Sequence, residues 1–427
     1  MADARWLCTG RLAPWIGAAL VLLILFARKP DSFVNPQFWA EDGSLFFTQQ
    51  IEHGARAHLI PYAGTFNEAP RIVASLGALL PYRHAPAFYN AAAVLALLAL
   101  VLKLYSPRLG LSVGRLGPLP FALAVVLVPH PRGEVFACLA NVQWILALLL
   151  LLLVLQKSAA TGFEAAGDAL LVLVAGLTGP FIVFALPLLA WKLWRSFRFQ
   201  PRGARLDLPA FGVAIGTATV QLWALLHSPL GAPRPLPAAP DVWVRLVGHR
   251  LFGTLFLGPQ VTYRLSPVFV AVTGFLVLGA ILWALRRSPE AFERAALSLV
   301  FAGAVVAAAF AKHAGAPGLL LPWANGSRYF FIPAVVLAWC LLLVLATSRG
   351  APRLLASAAL AAVLTSSVLT GFQSPPLEDR RWEAHVERIG GAEREVSIPI
   401  NPRGWKVHIP QRRNRSTPRL TPRAGPA

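Results

Sequence analysis

Cysteine, methionine and acidic residues are scarce in this chain. The three cysteines, Cys8, Cys138 and Cys340, lie far apart in or near apolar segments. They therefore supply neither the paired spacing of a zinc site nor the framework of a disulfide-stapled domain. Only 14% of the 427 residues are charged, whereas 56% are apolar. A soluble domain of this composition would have too little polar surface, which excludes an ordinary globular protein.

Negative charge is also in short supply. The 39 Lys and Arg residues outweigh the 19 Asp and Glu residues and give a formal net charge of +20. Such a balance is common among nucleic-acid-binding proteins, but here many basic residues lie in short loops between apolar runs. In that position they set the orientation of membrane helices. The charge distribution therefore predicts a membrane partner and no nucleic acid.

Long apolar runs recur along the chain, and many approach the roughly 20 residues that cross a bilayer. The first run, residues 13–27, follows Arg5 and Arg11 and has no clear small-residue cleavage site. We interpret it as an uncleaved anchor, with a cleaved signal peptide as the alternative. The other runs are residues 87–102, 139–155, 208–226, 266–285, 329–346 and 354–369. They predict an all-α polytopic membrane protein with about 10–11 transmembrane helices.

With the N-terminus in the cytoplasm, most basic loops fall on the inside, as the positive-inside rule requires. Residues 28–84 then form a long outer loop, in which two short apolar stretches are expected to be interfacial helices. Residues 168–194 are interrupted at Gly179-Pro180. Either one kinked span or a hairpin of two half-length, re-entrant helices would explain this break. The charges downstream favour the hairpin, since they then lie inside.

The chain is predicted to divide into three parts. Residues 1–371 form the transmembrane domain, 372–411 a small extracytoplasmic segment, and 412–427 a disordered tail rich in Arg and Pro. In the middle part, two alternating runs flank a turn-forming Asn-Pro-Arg-Gly tetrad, which predicts a β-hairpin. Abundant Ala, Arg and Pro suggest a GC-rich bacterial genome. We therefore expect a bacterial inner-membrane protein with a cytoplasmic N-terminus and a periplasmic C-terminal segment.

Two adjacent acids, Glu41 and Asp42, follow the first span directly. One carboxylate of such a pair could act as a general base toward an acceptor hydroxyl, while the other binds a partner such as an arginine. The alternative is that Asp42 is the N-cap of a helix over residues 43–55 and Glu41 is solvated. Glu134, in the next outer turn, is a third catalytic candidate, and an ordinary aqueous turn is the alternative there.

Cationic and polar side chains near the outer ends of the spans are candidates for binding substrate. A guanidinium group binds phosphate through two parallel hydrogen bonds, although a structural role is the alternative for each arginine. The histidines have no metal-ligand spacing, so no metal ligand is predicted, but Mg or Mn could assist in binding phosphate. The substrate-binding candidates are Arg71, His130, Arg132, His249, Arg250, Asn325, Arg328 and Tyr329.

This arrangement resembles the GT-C superfamily of integral-membrane glycosyltransferases. The first outer loop of that superfamily typically carries an acidic pair, which Glu41-Asp42 matches, and Glu134 matches a further acid in the second outer turn. Asn67-Glu68-Ala69-Pro70-Arg71 is similar in position to the passage from loop to helix in those enzymes. The resemblance covers residues 1–371 at the level of architecture. The C-terminal segment is much smaller than the globular domain of the larger members.

The resemblance implies that a sugar moves, with inversion, from a polyprenyl-phosphate-linked donor to an acceptor hydroxyl on the outer face. The expected partners are the lipid-linked donor, a glycan, lipid or protein acceptor, and membrane lipid. A transporter or flippase of a lipid-linked glycan is the alternative. Transporters often contain broken helices near the midplane, and the break at Gly179-Pro180 favours this hypothesis. A non-catalytic assembly protein that acts through the basic tail is a third hypothesis.

Overall fold

Most of the chain folds into helices. The computed structural model describes residues 10–111, 116–130, 133–228, 240–321, 326–369, 372–390 and 395–410. The predicted all-α class and the small C-terminal sheet are both confirmed. The α-helices are α1 (Ala13–Arg28), α2 (Asp31–Val34), α3 (Thr48–His53), α4 (Glu68–Gly77), α5 (Ala85–Leu104), α6 (Leu119–Leu127), α7 (Val142–Leu155), α8 (Gly162–Gly176), α9 (Phe181–Phe199), α10 (Pro201–Leu226), α11 (Pro240–Arg245), α12 (Thr254–Phe256), α13 (Gly258–Thr262), α14 (Pro267–Leu285), α15 (Pro289–Lys312), α16 (Phe331–Thr347), α17 (Ala351–Leu369) and α18 (Trp382–Gly390).

Shorter helical turns of other types lie mainly in the loops. The π-helical segments are Asp42–Phe47 and Leu246–Gly253. The 3-10 turns are Gly54–Leu59, Tyr82–His84, Pro107–Leu109, Leu139–Asn141, Pro317–Leu320 and Ser327–Phe330. The first outer loop predicted from the sequence thus contains several short helices, as expected.

Six helices among the described residues are long and apolar enough to cross a membrane. They are Tyr82–Leu104, Pro201–Leu226, Pro267–Leu285, Pro289–Lys312, Ser327–Thr347 and Ala351–Leu369. Ala13–Arg28 and Leu139–Leu155 are shorter apolar helices. The larger number expected from the sequence includes α6, which has 9 residues, and α9, which ends in a basic stretch. The protein is a multi-span membrane protein.

The outside of the bundle is apolar, which distinguishes it from a soluble helical protein. Only 28% of the apolar stretch of α14 is buried. Its outward side chains Phe269, Leu276 and Trp283 are 61%, 68% and 54% exposed. In water, a continuous face of this kind would drive association, whereas lipid tails are as apolar as the side chains themselves. The exposed faces of these helices are therefore suited to contact lipid.

Helices α7 and α16 lie at the centre of the bundle. Nearly all of their side chains are buried, and both helices are apolar on every side, as is typical of helices enclosed by others. The Trp339 indole N–H donates to the Phe121 carbonyl at 2.9 Å, which ties α16 to α6. The turns that lead into α7 and α16 are therefore attached to the buried centre of the bundle.

The helices alternate in direction, so the bundle has two distinct faces. At one face, which we call the basic face, the Arg108 guanidinium donates to the Lys157 carbonyl at 3.0 Å. At the other, which we call the acidic face, Arg28 at the end of α1 donates to the His130 carbonyl at 3.1 Å. The first outer loop of the sequence prediction lies at the acidic face.

Residues 168–194 belong to a hairpin and not to one kinked span. Gly179, in the turn between α8 and α9, has a φ of +79° that favours glycine. Its N–H donates to the Phe66 carbonyl at 2.9 Å, at the acidic face. Near the other ends of the two helices, the Ser158 and Ser196 hydroxyls are 2.9 Å apart. The hairpin interpretation is thus correct, with the turn at the acidic face and both ends of the hairpin at the basic face.

The C-terminal sheet packs directly on the first loop. Strands β1 (Val396–Ile400) and β2 (Trp405–Ile409) pair antiparallel, as the sequence predicted. A Cβ atom built on Gly43 would lie 2.9 Å from side-chain atoms of both Ile400 and Val407. Only glycine allows this close approach. The hairpin therefore covers the loop segment that carries the acidic pair.

Candidate functional site at the acidic face

Asp42 is a completely buried carboxylate that binds backbone N–H groups from a distant part of the chain. Ala140 N–H donates to its Oδ1 at 2.6 Å, and Leu139 N–H donates to Oδ2 at 3.4 Å. These donors lie in the 3-10 turn before α7, where N–H groups have no partner within the helix. The alternative that Asp42 is the N-cap of the helix that follows it is therefore wrong, because its carboxylate caps the turn before α7 instead.

Burial makes Asp42 an unusually weak acid. Desolvation raises the pKa of its carboxyl to about 7, and the nearby negative charge of Glu41 adds to this shift. The hydrogen bonds from Ala140 and Leu139 and the positive charge of Lys29 oppose it. Near neutral pH, both the protonated and the ionised forms of Asp42 are therefore populated.

Glu41 occupies a different environment although it is the next residue in sequence. It is half-buried, and the Tyr62 hydroxyl donates to its Oε1 at 3.0 Å. Among the described residues, no hydrogen-bond partner is present for Oε2. Burial, followed by the neighbouring Glu41 carboxylate, raises the pKa of Tyr62, so the phenol keeps its proton. The expectation that the two acids face different partners is met, but the partner of the buried acid is backbone and not arginine.

Glu134 organises the start of α16. Its Oε1 accepts hydrogen bonds from the Ser327 hydroxyl at 2.6 Å and from Arg328 N–H at 2.9 Å. Its Oε2 accepts one from the Arg328 guanidinium at 3.1 Å. The Glu134 side chain is 6% exposed, whereas that of Arg328 is 29% exposed. One carboxylate thus caps the turn at residues 327–330 and also holds the arginine at the edge of the site.

Two charged side chains connect these acids. Lys29 donates to the Phe136 carbonyl at 2.7 Å and is buried. Burial lowers its pKa, and the charges of Cys138, Asp42 and Glu134 oppose that shift. Arg328 interacts electrostatically with Glu41 as well as with Glu134. The three predicted catalytic acids therefore belong to one cluster, the acidic cluster, which consists of Glu41, Asp42 and Glu134.

His130 and Arg250 are two further buried side chains among the predicted site residues. Burial, reinforced by the charges of Arg28 and Arg250, lowers the pKa of His130 well below its usual value. Its Nε2 accepts a hydrogen bond from Val135 N–H at 3.3 Å, so the ring is neutral and part of the turn. Burial lowers the pKa of Arg250 to about 10, so it remains a cation at neutral pH. Its guanidinium lies 4.9 Å from the centre of the Phe330 ring.

Three other predicted residues have structural contacts of their own. Arg71 is 1% exposed and donates to the Ile60 carbonyl and to Gln49, which ties the first loop together. His249 donates through Nε2 to the Leu265 carbonyl at 3.0 Å. The Tyr329 ring packs edge-on against Trp144 at 5.3 Å. Two further candidates, Arg132 and Asn325, lie outside the described residues.

Lys29, Tyr62 and Ser327 belong to the site but were not among the predicted site residues. Lys29 carries a detectable signal, because a basic pair at the outer end of the first span runs against the positive-inside rule. Tyr62 and Ser327 carry none beyond being polar residues in outer loops. Their partners Glu41 and Glu134 are 21 and 193 residues away in sequence.

The described residues do not provide a metal site. No group of three or more His, Cys, Asp or Glu side chains is placed to hold an ion in the part of the chain that the structure describes. Two of the acids in the cluster already accept hydrogen bonds from protein donors at both oxygens. The Mg or Mn suggested by the resemblance has no matching ligand set among these residues.

No protein-family model matches this chain, and comparisons with the curated proteins and with the solved structures find no match either. The resemblance drawn from the sequence therefore depends on the helical architecture and on the acidic cluster alone.

Proposed function

We propose that this protein is an integral-membrane glycosyltransferase. It moves a sugar from a polyprenyl-phosphate-linked donor to an acceptor hydroxyl at the acidic face. The observation that carries the proposal is that the two acids of the pair have different contacts. Asp42 is fixed by backbone hydrogen bonds, whereas Glu41 keeps one carboxylate oxygen available beside Tyr62 and near Arg328.

Glu41 is the proposed general base. A base must come within hydrogen-bond reach of the proton that it removes, so geometry takes precedence over pKa. Asp42 has a suitable pKa of about 7, but it is 0% exposed and its oxygens are bound to Ala140 and Leu139. Asp42 is therefore a positioning residue that holds the loop of Glu41 against α7.

Arg328 is the proposed partner of the donor phosphate. Its guanidinium donates to Glu134 at 3.1 Å and is partly exposed. In the reaction, the acceptor hydroxyl gives its proton to Glu41 while its oxygen bonds to the anomeric carbon. The bond from that carbon to the phosphate oxygen breaks, and the negative charge left on the polyprenyl phosphate is stabilised by Arg328. Attack opposite the leaving phosphate gives inversion.

Two features of the bundle support the enzyme over the transporter. The break at Gly179-Pro180, which favoured transport in the sequence, is the turn of a hairpin that bonds to Phe66 at the acidic face. It is therefore not a broken helix at the midplane, which a transporter would use. The charged groups of the acidic cluster also lie at one face of the bundle and not along a path through it.

The test is sugar transfer in membranes that contain the wild type, Glu41→Gln, Asp42→Asn or Glu52→Gln. The donors are polyprenyl-phosphate-linked hexoses and pentoses. Glu52, paired with His53 at 3.5 Å, is the matched control because it is an acid of the same loop outside the cluster. We expect Glu41→Gln to lower transfer by about 10²–10⁴-fold, the usual contribution of a general base. Asp42→Asn keeps an oxygen for Ala140 and should lower transfer much less.

Other outcomes would change the conclusion. Loss of transfer in Asp42→Asn with normal transfer in Glu41→Gln would make Asp42 the base and refute the proposed assignment. Normal transfer in both variants would remove the main support for a glycosyltransferase. Movement of a lipid-linked glycan across sealed vesicles that is unaffected by Glu41→Gln, without sugar transfer by the wild type, would favour the transporter.

A further inference from the structure

A second candidate binding site lies at the basic face, remote from the acidic cluster. A cavity of about 430 Å³ opens between the end of α7, the second half of α9 and the first turns of α15. Four cationic side chains and two carboxylates line it: Lys157, Lys192, Arg195, Arg294, Glu290 and Glu293. The walls therefore carry an excess of positive charge, and nothing in the proposed transfer reaction uses them.

Ion pairs balance three of the four cations, since Lys192 also pairs with Asp207 at 3.8 Å, and among the described residues the charge of Lys157 is left over. Arg195 pairs with Glu293, and Arg294 donates to Glu290 at 2.7 Å through only one of its terminal nitrogens. Arg294 is 7% exposed, and its other terminal nitrogen has no hydrogen-bond partner. A buried donor without an acceptor is costly, so an anion that supplies one would be favoured.

Two more features of the rim favour an anion. Lys157 is exposed, and its ammonium group has no ion-pair partner within the described parts of the chain. The first residues of α15, Pro289 and Glu290, also line the cavity. The N-terminal end of this 24-residue helix carries a partial positive charge that attracts anions.

The surroundings of the cavity suit a lipid. Trp191 and Phe199 line it and are 46% and 68% exposed, and Trp194 beside them is 52% exposed. The Trp191 and Trp194 rings are 4.9 Å apart, and Arg198 lies 6.0 Å from the Trp194 ring. Tryptophan next to arginine at the end of an apolar helix is typical of the headgroup level of a bilayer. A ligand in this cavity could therefore extend its tails along the outside of α9.

We propose that this cavity binds the phosphate headgroup of an anionic phospholipid. Arg294 and Lys157 supply the charge, and the Trp191 and Phe199 side chains contact the glycerol and the first methylene groups. This site is independent of the proposed transferase reaction, since it lies on the other face of the bundle.

Lipid binding to the purified full-length chain in nonionic detergent tests this proposal, with native mass spectrometry as the readout. Phosphatidylglycerol and phosphatidylcholine are compared on the wild type, Lys157→Gln, Arg294→Gln and Arg294→Lys. Arg349→Gln is the matched control, since it removes an exposed charge at the same face outside the cavity. We expect each glutamine variant at the cavity to lose affinity for phosphatidylglycerol by about fivefold per charge. Arg349→Gln should bind like the wild type, whereas Arg294→Lys keeps the charge without the second terminal nitrogen and should bind with an affinity between those of the wild type and Arg294→Gln.

Equal binding of the two lipids, or unchanged binding by Lys157→Gln and Arg294→Gln, would overturn the proposal. Thermal stabilisation by inorganic phosphate without any preference for phosphatidylglycerol would assign the cavity to a soluble phosphate compound and overturn the lipid assignment. If Arg294→Gln does not fold, Lys157→Gln alone decides, since Lys157 is an exposed side chain whose loss leaves the packing unchanged. The proposed transferase activity can fail without affecting any of these results.

Discussion

Replacing Asp42 with asparagine should make the stability of the protein less dependent on pH. The pKa of Asp42 is about 7 in the folded protein, against an ordinary value of 3.8. A carboxyl group with a raised pKa binds its proton more tightly in the folded state. Its contribution to stability is fully present below the unfolded pKa and is lost as the pH rises through about 7.

The size of this effect follows from the two pKa values. From about pH 5.5 to about pH 8.5, Asp42 alone should lower the free energy of unfolding by about 2 kcal/mol. Asparagine stays neutral throughout this range and keeps one oxygen to accept from Ala140 N–H. We therefore expect Asp42→Asn to lose this part of the slope and to be at least as stable as the wild type at the alkaline end.

Equilibrium unfolding in mixed micelles of a nonionic detergent and dodecyl sulfate, followed by tryptophan fluorescence, measures this free energy at each pH. Glu52→Gln serves as the control that should keep the wild-type slope, because Glu52 belongs to the same loop but lies outside the acidic cluster. Identical slopes for the wild type and Asp42→Asn would refute the reasoning. They would mean that Asp42 is ionised in the folded protein well below neutral pH.

Three further substitutions test other contacts. Glu134→Ala leaves Arg328 without its buried carboxylate, and we expect the free energy of unfolding to fall by about 2–3 kcal/mol. This loss is smaller than for a fully buried ion pair because Arg328 is partly exposed. Unchanged stability in the same micelle assay would contradict this expectation. Tyr62→Phe removes the donor to the proposed base Glu41, and initial transfer rates should fall by about three- to tenfold. A full rate would show that this hydrogen bond does not position the proposed base. Gly43→Val should displace the C-terminal sheet from the first loop, because a Cβ atom there meets Ile400 and Val407 at 2.9 Å. Limited proteolysis should then cleave residues 396–409 faster than in the wild type. Equal cleavage rates would contradict the packing of the sheet on the loop.

The features predicted well from the sequence are those set by local pattern. Apolar runs predicted the helices, and alternation around a turn-forming tetrad predicted strands β1 and β2. For these helices and strands the information lies within a few residues of the element, where periodicity and turn propensity act. The hairpin around Gly179-Pro180 was favoured instead by basic residues far downstream, through the positive-inside rule.

The candidate site was predictable in its acids but not in its contacts. Glu41, Asp42 and Glu134 stand out because carboxylates are rare in this chain. The partner of Asp42 is a backbone turn 97 and 98 residues away, which no side-chain pattern can indicate. The pairing of Glu134 with Ser327 depends on how α7 and α16 pack together. Tertiary packing decides such contacts. In a membrane protein the hydrophobic pattern does not show which face of a helix packs inward, since every face is apolar.

The C-terminal sheet has a consequence for how the protein is made. Asn401 N–H donates to the Phe38 carbonyl at 3.2 Å, and Ile400 and Val407 pack against Gly43, so residues near 400 complete the surroundings of residues near 40. During synthesis, most of the helices are translated before this segment exists. The loop with Glu41 and Asp42 therefore lacks part of its cover until residue 409 has been synthesised. A growing chain would thus carry no finished acidic cluster, and the proposed sugar transfer would begin only after the bundle is built.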